Sequence, residues 1–223
     1  MQRGAHLVAL AVVAGLIAFA IAPACAADGS YRMLEVMTGG AHNFDSDLHI
    51  EQDGEAPLDF NAEWEVGGTG AMYYDLRYGW WGGDRAQEVE HLHHKMLLTN
   101  NPPEVENFQI SHGVNMFMYN QAWRDGDWIQ RAGLGLVVSH AENTVRGLKL
   151  TDAGSGNLFS GYRLSGGCAQ YALERQWPIG GDWYFSAEAK GTVAWIEVPV
   201  VNGQAELWNY ALHGLAGFGY RFD

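Results

Sequence analysis

The densest run of chemically active side chains in the sequence is "EHLHHK" (90–95). On a strand, His91 and His93 project from one face, because successive side chains alternate between faces. Two imidazoles so placed make a workable chelate, but two ligands do not complete a metal site. Lys95 shares that face, about 6.5–7 Å beyond His93, and can hold a phosphate as a point charge. An unperturbed imidazole has its pKa near working pH, so a histidine at 93 can act as base or ligand. His112 opens the next alternating run and His140 closes the one after, which extends the group to a rim. A second pair, Glu188 and Lys190, shares one face of another run and sets a carboxylate beside an amine, a proton-handling arrangement. The spacing names neither a metal nor a cofactor.

These side chains need strands to position them. From residue 70 onward the hydrophobic pattern has period two, the strand signature. It predicts eight strands, at about 31–42, 70–82, 86–98, 112–123, 127–141, 161–177, 182–196 and 206–222. Short Gly, Asp and Pro connections at 82–86, 124–126 and 178–181 alternate with long polar ones at 43–69, 99–111, 142–160 and 197–205. In an up-and-down antiparallel meander, all short turns then lie at one end. The 43–69 segment has alternating runs of its own, which can extend the first hairpin.

Alternation does not say which face is inside, since a soluble lipocalin-like barrel also has one apolar face. Tryptophan decides. Trp80, Trp123, Trp128, Trp177 and Trp183 fall on apolar faces beside the short turns, and Trp195 and Trp208 fall toward the long loops. Trp183 and Trp195 are separated by about 28–30 Å along the barrel normal, given a rise of about 3.3 Å and a tilt near 40–45°. An outer-membrane barrel has an apolar band about 25 Å tall with aromatic girdles at both edges. Interfacial indole keeps its ring in the apolar layer and its N–H in the headgroup zone. The expected fold is therefore all-β, an eight-stranded antiparallel up-and-down transmembrane β-barrel.

The opposite faces then point inward. They carry Glu35, Asp75, Arg77, Glu88, Glu90, Arg131, Gln170, Glu174, Glu188, Lys190 and His213. Eight strands enclose a space just wide enough for side chains, so these residues predict a packed polar plug, not a pore. Arg77 and Arg131 are expected to pair with Asp75, Glu88 and Glu90, because an unpaired buried charge is costly.

The first residues describe export. Arg3, the apolar run 7–22 and "ACA" (24–26) predict a signal peptide over 1–26, with 27–223 as one barrel domain. Removing Cys25 leaves Cys168 as the only thiol, so no internal disulfide forms. A net charge of −13 excludes nucleic acid, which needs a basic surface.

The stretches "MYYDLRYGWW" (72–81), "HHK" (93–95), "SHGVNMFMYN" (111–120), "GYRLSG" (161–166) and "EAKGT" (188–192) resemble small eight-stranded outer-membrane proteins of the lipid A oxidase-like group. The resemblance implies an enzyme that oxidises the proximal sugar of lipid A in the outer leaflet, with lipid A or lipopolysaccharide as the partner of a monomeric barrel. It raises Glu90, His93, Lys95, Glu188 and Lys190 above their neighbours. A site acting on a headgroup belongs at the long-loop end, where His93, Lys95 and His140 fall. The rival expectation is a non-enzymatic barrel for envelope integrity or surface interaction.

Overall fold

The structure, a computed structural model, describes residues 29–66, 73–151 and 161–223. The signal peptide expected at 1–26 lies outside the described residues. Eight long strands form the wall: β1 (Tyr31–Asn43), β5 (Tyr74–Gly82), β6 (Arg85–Leu98), β7 (Val105–Asp125), β8 (Trp128–Ser139), β11 (Arg163–Gly180), β12 (Trp183–Val200) and β13 (Gly203–Phe222). Shorter strands stand at the long-loop end: β2 (Ser46–Gln52), β3 (Leu58–Ala62), β4 (Trp64–Glu65), β9 (Glu142–Val145) and β10 (Leu148–Lys149).

The wall closes. Each long strand pairs antiparallel with the next, from β5 through β6, β7, β8, β11, β12 and β13 to β1, and β1 pairs back onto β5. Only a closed ring satisfies every strand N–H and C=O inside lipid. β1 pairs with β5 up to Met37. Above that point the Asn43 side chain donates to the Lys95 carbonyl at 3.2 Å and ties β1 to β6.

The outside of the ring is apolar. Leu34, Val36, Phe117, Leu212 and Phe218 are each about half exposed, from 48% to 56%, which fits lipid and not water. Trp80, Trp128, Trp177, Trp183 and Trp208 are also exposed, at the levels expected for the two belts. Trp195 and Trp208 are directly paired across β12 and β13.

The inside has four layers. Met33, Trp81, Ala86, Ala122, Ile129 and Tyr184 close the short-turn end. Above them sits a charged layer, then a thin polar layer containing His213, Thr192, Asn209 and Asn43. The long-loop end is filled by an apolar core that includes Leu48, Trp64, Leu92, Phe108, Ile110, Val198 and Leu207.

That apolar cap corrects two expectations. The loop at 99–111 becomes strand from Val105 onward, and the loop at 197–205 is a tight turn at Val201 and Asn202. Phe108 and Ile110, and Val198, Val200 and Leu207, continue the inward alternation and pack together, so the strands have a core to follow beyond the apolar band. Asn202 turns the chain at φ 60°, a left-handed conformation that Asn tolerates. The 43–69 and 142–160 segments likewise carry β2, β3, β4, β9 and β10.

The β2–β3 hairpin carries a pH-sensitive tie. His49 Nδ1 donates to Asp59 at 2.6 Å, and Nε2 lies 3.2 Å from Glu51. These hydrogen bonds raise the imidazole pKa above its usual value. The tie is fully present below the unfolded pKa, about 6.5, and fades as pH rises through the raised folded value. Limited proteolysis of the hairpin should be faster at about pH 8 than at about pH 6. His49→Gln should abolish that difference. An unchanged pH dependence in the variant would assign the effect elsewhere.

Candidate functional site

Two groups of ionisable residues stand out, one inside the wall and one on it. The inner group is held by strand alternation, which aims Glu35, Asp75, Arg77, Glu88, Glu90, Arg131, Glu174, Glu188 and Lys190 at the axis. Each is at most 4% exposed. Arg77 reaches Glu35 at 2.6 Å, Glu188 at 3.0 Å, Glu90 at 3.1 Å and Glu174 at 3.3 Å. Arg131 reaches Glu174 at 2.6 Å and Glu88 at 2.9 Å, and pairs with Glu188. Lys190 pairs with Asp75 and Glu90, and lies 3.1 Å from Glu188. Asn120 and Gln170 donate to Glu90 at 2.7 and 2.8 Å. The expected partners of Arg77 and Arg131 are present. Glu35, Glu174 and Glu188 join them from strands far away in sequence. Six carboxyl groups surround three cations in a space with no side-chain exposure.

Glu188, Lys190 and Glu90, three of the candidates, therefore sit inside a buried ion-pair plug. Above it, the hydroxyls of Tyr73 and Thr192 bracket His213, at 2.5 Å from Nδ1 and 2.9 Å from Nε2.

The outer group starts from the parity of β6. Glu88, Glu90, Leu92 and His94 are buried, so Gln87, Val89, His91, His93 and Lys95 face outward. His93 and Lys95 are thus on the lipid-facing wall. Trp80 pairs with Gln87. From that belt residue, His91, His93 and Lys95 rise about 10, 15 and 20 Å through the apolar band.

The imidazoles are held in a stack. His91 lies flat on Phe117, with ring centroids 4.4 Å apart, and His93 lies flat on Tyr74 at 5.0 Å. Asn115 joins them: its Oδ1 is 3.0 Å from His91 Nε2 and 2.8 Å from His93 Nδ1. Asn115 Nδ2 donates to the carbonyls of Gly113 and Val138, at 3.2 and 3.1 Å, which assigns the other atom as the oxygen. Both imidazoles must then donate to it. That orientation leaves His91 Nδ1 as a lone-pair nitrogen when the ring is neutral. A polar group facing lipid has to be bonded within the protein, and Asn115 provides that bond.

Sequence reasoning placed His93 and Lys95 on one face but missed Asn115, Tyr74 and Phe117. The signal was present in "SHGVNMFMYN", but only the register of β6 against β7 sets Asn115 opposite His93. His140 lies just beyond β8, 6% exposed, with its ring 5.3 Å from that of Tyr162. The side chain of His112 is outside the described residues. Among the described residues, no three His, Cys, Asp or Glu side chains converge to hold a metal.

Gly113 permits the stack. It has φ 109°, in a bulge where four steps of β7 span two of β6. A Cβ at this position would overlap the His93 ring. Gly113→Ala should cost about 1–3 kcal/mol in backbone strain and push His93 off Tyr74. The check is the chemical shift of the His93 ring protons, which the Tyr74 face shields in the unaltered protein. An unmoved resonance would refute the contact.

No protein-family model matches the chain, and no curated protein matches it. Solved structures do. Neisserial surface protein A aligns with 87% of this chain and 98% of its own, at 10% identity and a TM-score of 0.41. The outer-membrane protein AlkL, solved in lipid bilayers, aligns with 88% of this chain and 92% of its own, at 12% identity and a TM-score of 0.49. OprG of Pseudomonas aeruginosa aligns with 87% and 96%, at 13% identity and a TM-score of 0.43. All three are small outer-membrane barrels. The apolar wall, the two tryptophan belts and the closed ring carry the assignment. This chain is an outer-membrane β-barrel.

Proposed function

We propose that this barrel engages lipid A through its lateral wall, in the outer leaflet, and remodels it there. The observation that carries the reading is the stack of His91, His93, Tyr74 and Phe117 around Asn115, set in a largely apolar wall. Ionisable groups facing lipid are expensive and mark function by default. Lys95 stands above the stack, nearest the headgroup zone, where its ammonium can hold a lipid phosphate. His93, the imidazole nearer that zone, can take the proton of a sugar hydroxyl, and His91, deeper in the band, holds the pair in place through Asn115. The plug favours a lateral approach, because buried ion pairs fill the axis. The resemblance of the "HHK" region to lipid A oxidase-like proteins supports oxidation as the reaction, with a two-electron oxidant such as dioxygen taking the hydride from the carbon that bears the hydroxyl and water opening the resulting lactone, so that the lipid gains one oxygen. The ring is complete within one chain, so a monomer suffices.

A second reading, a non-enzymatic envelope barrel, is favoured by one observation. The charged groups of the plug are all engaged in ion pairs, as a structural core requires. Mass spectrometry of lipid A from cells with and without the gene separates the two. A shift by the mass of an oxygen atom is expected. Identical spectra would overturn the enzymatic reading and leave the structural one.

A further inference from the structure

Two guanidinium groups meet at the short-turn mouth of the barrel with no carboxylate between them. Arg124, near the end of β7, and Arg221, near the end of β13, donate through Nη2 to one neutral oxygen, Gln176 Oε1, at 3.4 and 2.7 Å. Each lies over the aromatic floor of the mouth. Arg124 Cζ is 5.2 Å from the Trp81 ring centroid. Arg221 Cζ is 4.8 Å from that of Tyr184 and 5.5 Å from that of Tyr31. The main chain is pinned at both residues: Arg124 N donates to Asp84 O at 2.8 Å, and Arg221 N to Asp182 O at 3.0 Å.

What these arginines lack is an acid. Neither forms an ion pair among the described residues, and Arg221 Nε is buried with no acceptor. Each guanidinium has five N–H donors in a rigid fork. The chain carries 26 Asp and Glu against 13 Lys and Arg, so acids are not scarce. Gln176 in turn donates through Nε2 to the plug carboxylate of Glu174 at 2.6 Å. Stacking on Trp81 and Tyr184 holds both forks in place before any ligand arrives, which lowers the ordering cost of binding.

We propose that this cup binds a soluble periplasmic phosphate group between Arg124 and Arg221. A phosphate presents oxygens in several directions and can bridge two forks, whereas one fork already satisfies a carboxylate. Short turns place the mouth on the periplasmic side. The strands and the Trp81–Tyr184 floor enclose it, so lipid headgroups outside the wall do not reach it.

The test uses the whole barrel in uncharged detergent, titrated with inorganic phosphate by calorimetry, with acetate as the carboxylate comparison. Saturable one-to-one binding is expected, with Kd at or below about 1 mM. Acetate should bind at least about tenfold more weakly. The double variant Arg124→Gln/Arg221→Gln should lose at least about tenfold in affinity, and Arg85→Gln, exposed at the start of β6, should not change it. Arg221→Lys keeps the charge and loses the fork. It should weaken binding several-fold, and it serves if the double variant does not fold. No saturable phosphate binding in the unaltered barrel would overturn the proposal, as would equal affinity in Arg221→Lys and the unaltered chain. If the arginines only neutralise the plug through Gln176, the double variant loses its heat-stable mobility at lower temperature while the unaltered barrel binds no phosphate. That result also overturns the proposal.

Discussion

Arg77→Met should destabilise the barrel by about 3–5 kcal/mol, the cost of removing one partner from a buried ion-pair network. The guanidinium meets Glu35, Glu90, Glu174 and Glu188 within 3.3 Å, all with no side-chain exposure. Without it, six carboxyl groups face only Arg131 and Lys190. Methionine fills the volume, so the loss reports charge and not a cavity. The measurement is the urea midpoint of unfolding from micelles, supported by the temperature at which gel mobility shifts. Removing carboxylates in the Arg77→Met background, by Glu35→Gln and Glu188→Gln, should recover part of the loss. These sites share one network, so additivity should fail among them. A change below about 1 kcal/mol would show that water reaches the plug and screens it.

His93→Ala and Lys95→Ala should each abolish lipid A modification while leaving heat-modifiable mobility intact. A positioned acid or base contributes about 10²–10⁴-fold, so a loss of at least about 10²-fold in modified lipid A is the expected scale. Both residues lie outside the plug, on the lipid face of β6, and neither carries any of the interior ion pairs. Asn115→Leu should reproduce the loss, because it removes the common acceptor that orients His91 and His93. The readout is lipid A mass spectrometry beside boiled and unboiled gel samples. Full activity in both single variants would move the site to the interior, to Glu188 and Lys190, and would require access to a sealed plug.

The alternation of side chains made the inside of the barrel legible. Glu35, Asp75, Arg77, Glu88, Glu90, Arg131, Gln170, Glu174, Glu188, Lys190 and His213 were all expected inward, and all are buried. Period two is a local property of a strand, so no long-range information is needed to read it. The tryptophan belts were legible for a similar reason, since depth in a membrane depends on residue count along a strand. Closure, register and the bulge were not. Glu188 lies 111 residues from Arg77 in sequence, and only the circular order of strands joins them. The same parity that sends Glu90 inward sends His93 outward, yet a parity carries no partner. Asn115, Tyr74 and Gly113 reach His93 because β6 pairs with β5 on one side and with a bulged β7 on the other. By itself the sequence determined which face each side chain takes and how deep it lies. The tertiary structure decided which side chains meet, because contacts between strands depend on register, which is set by the packing of the whole ring.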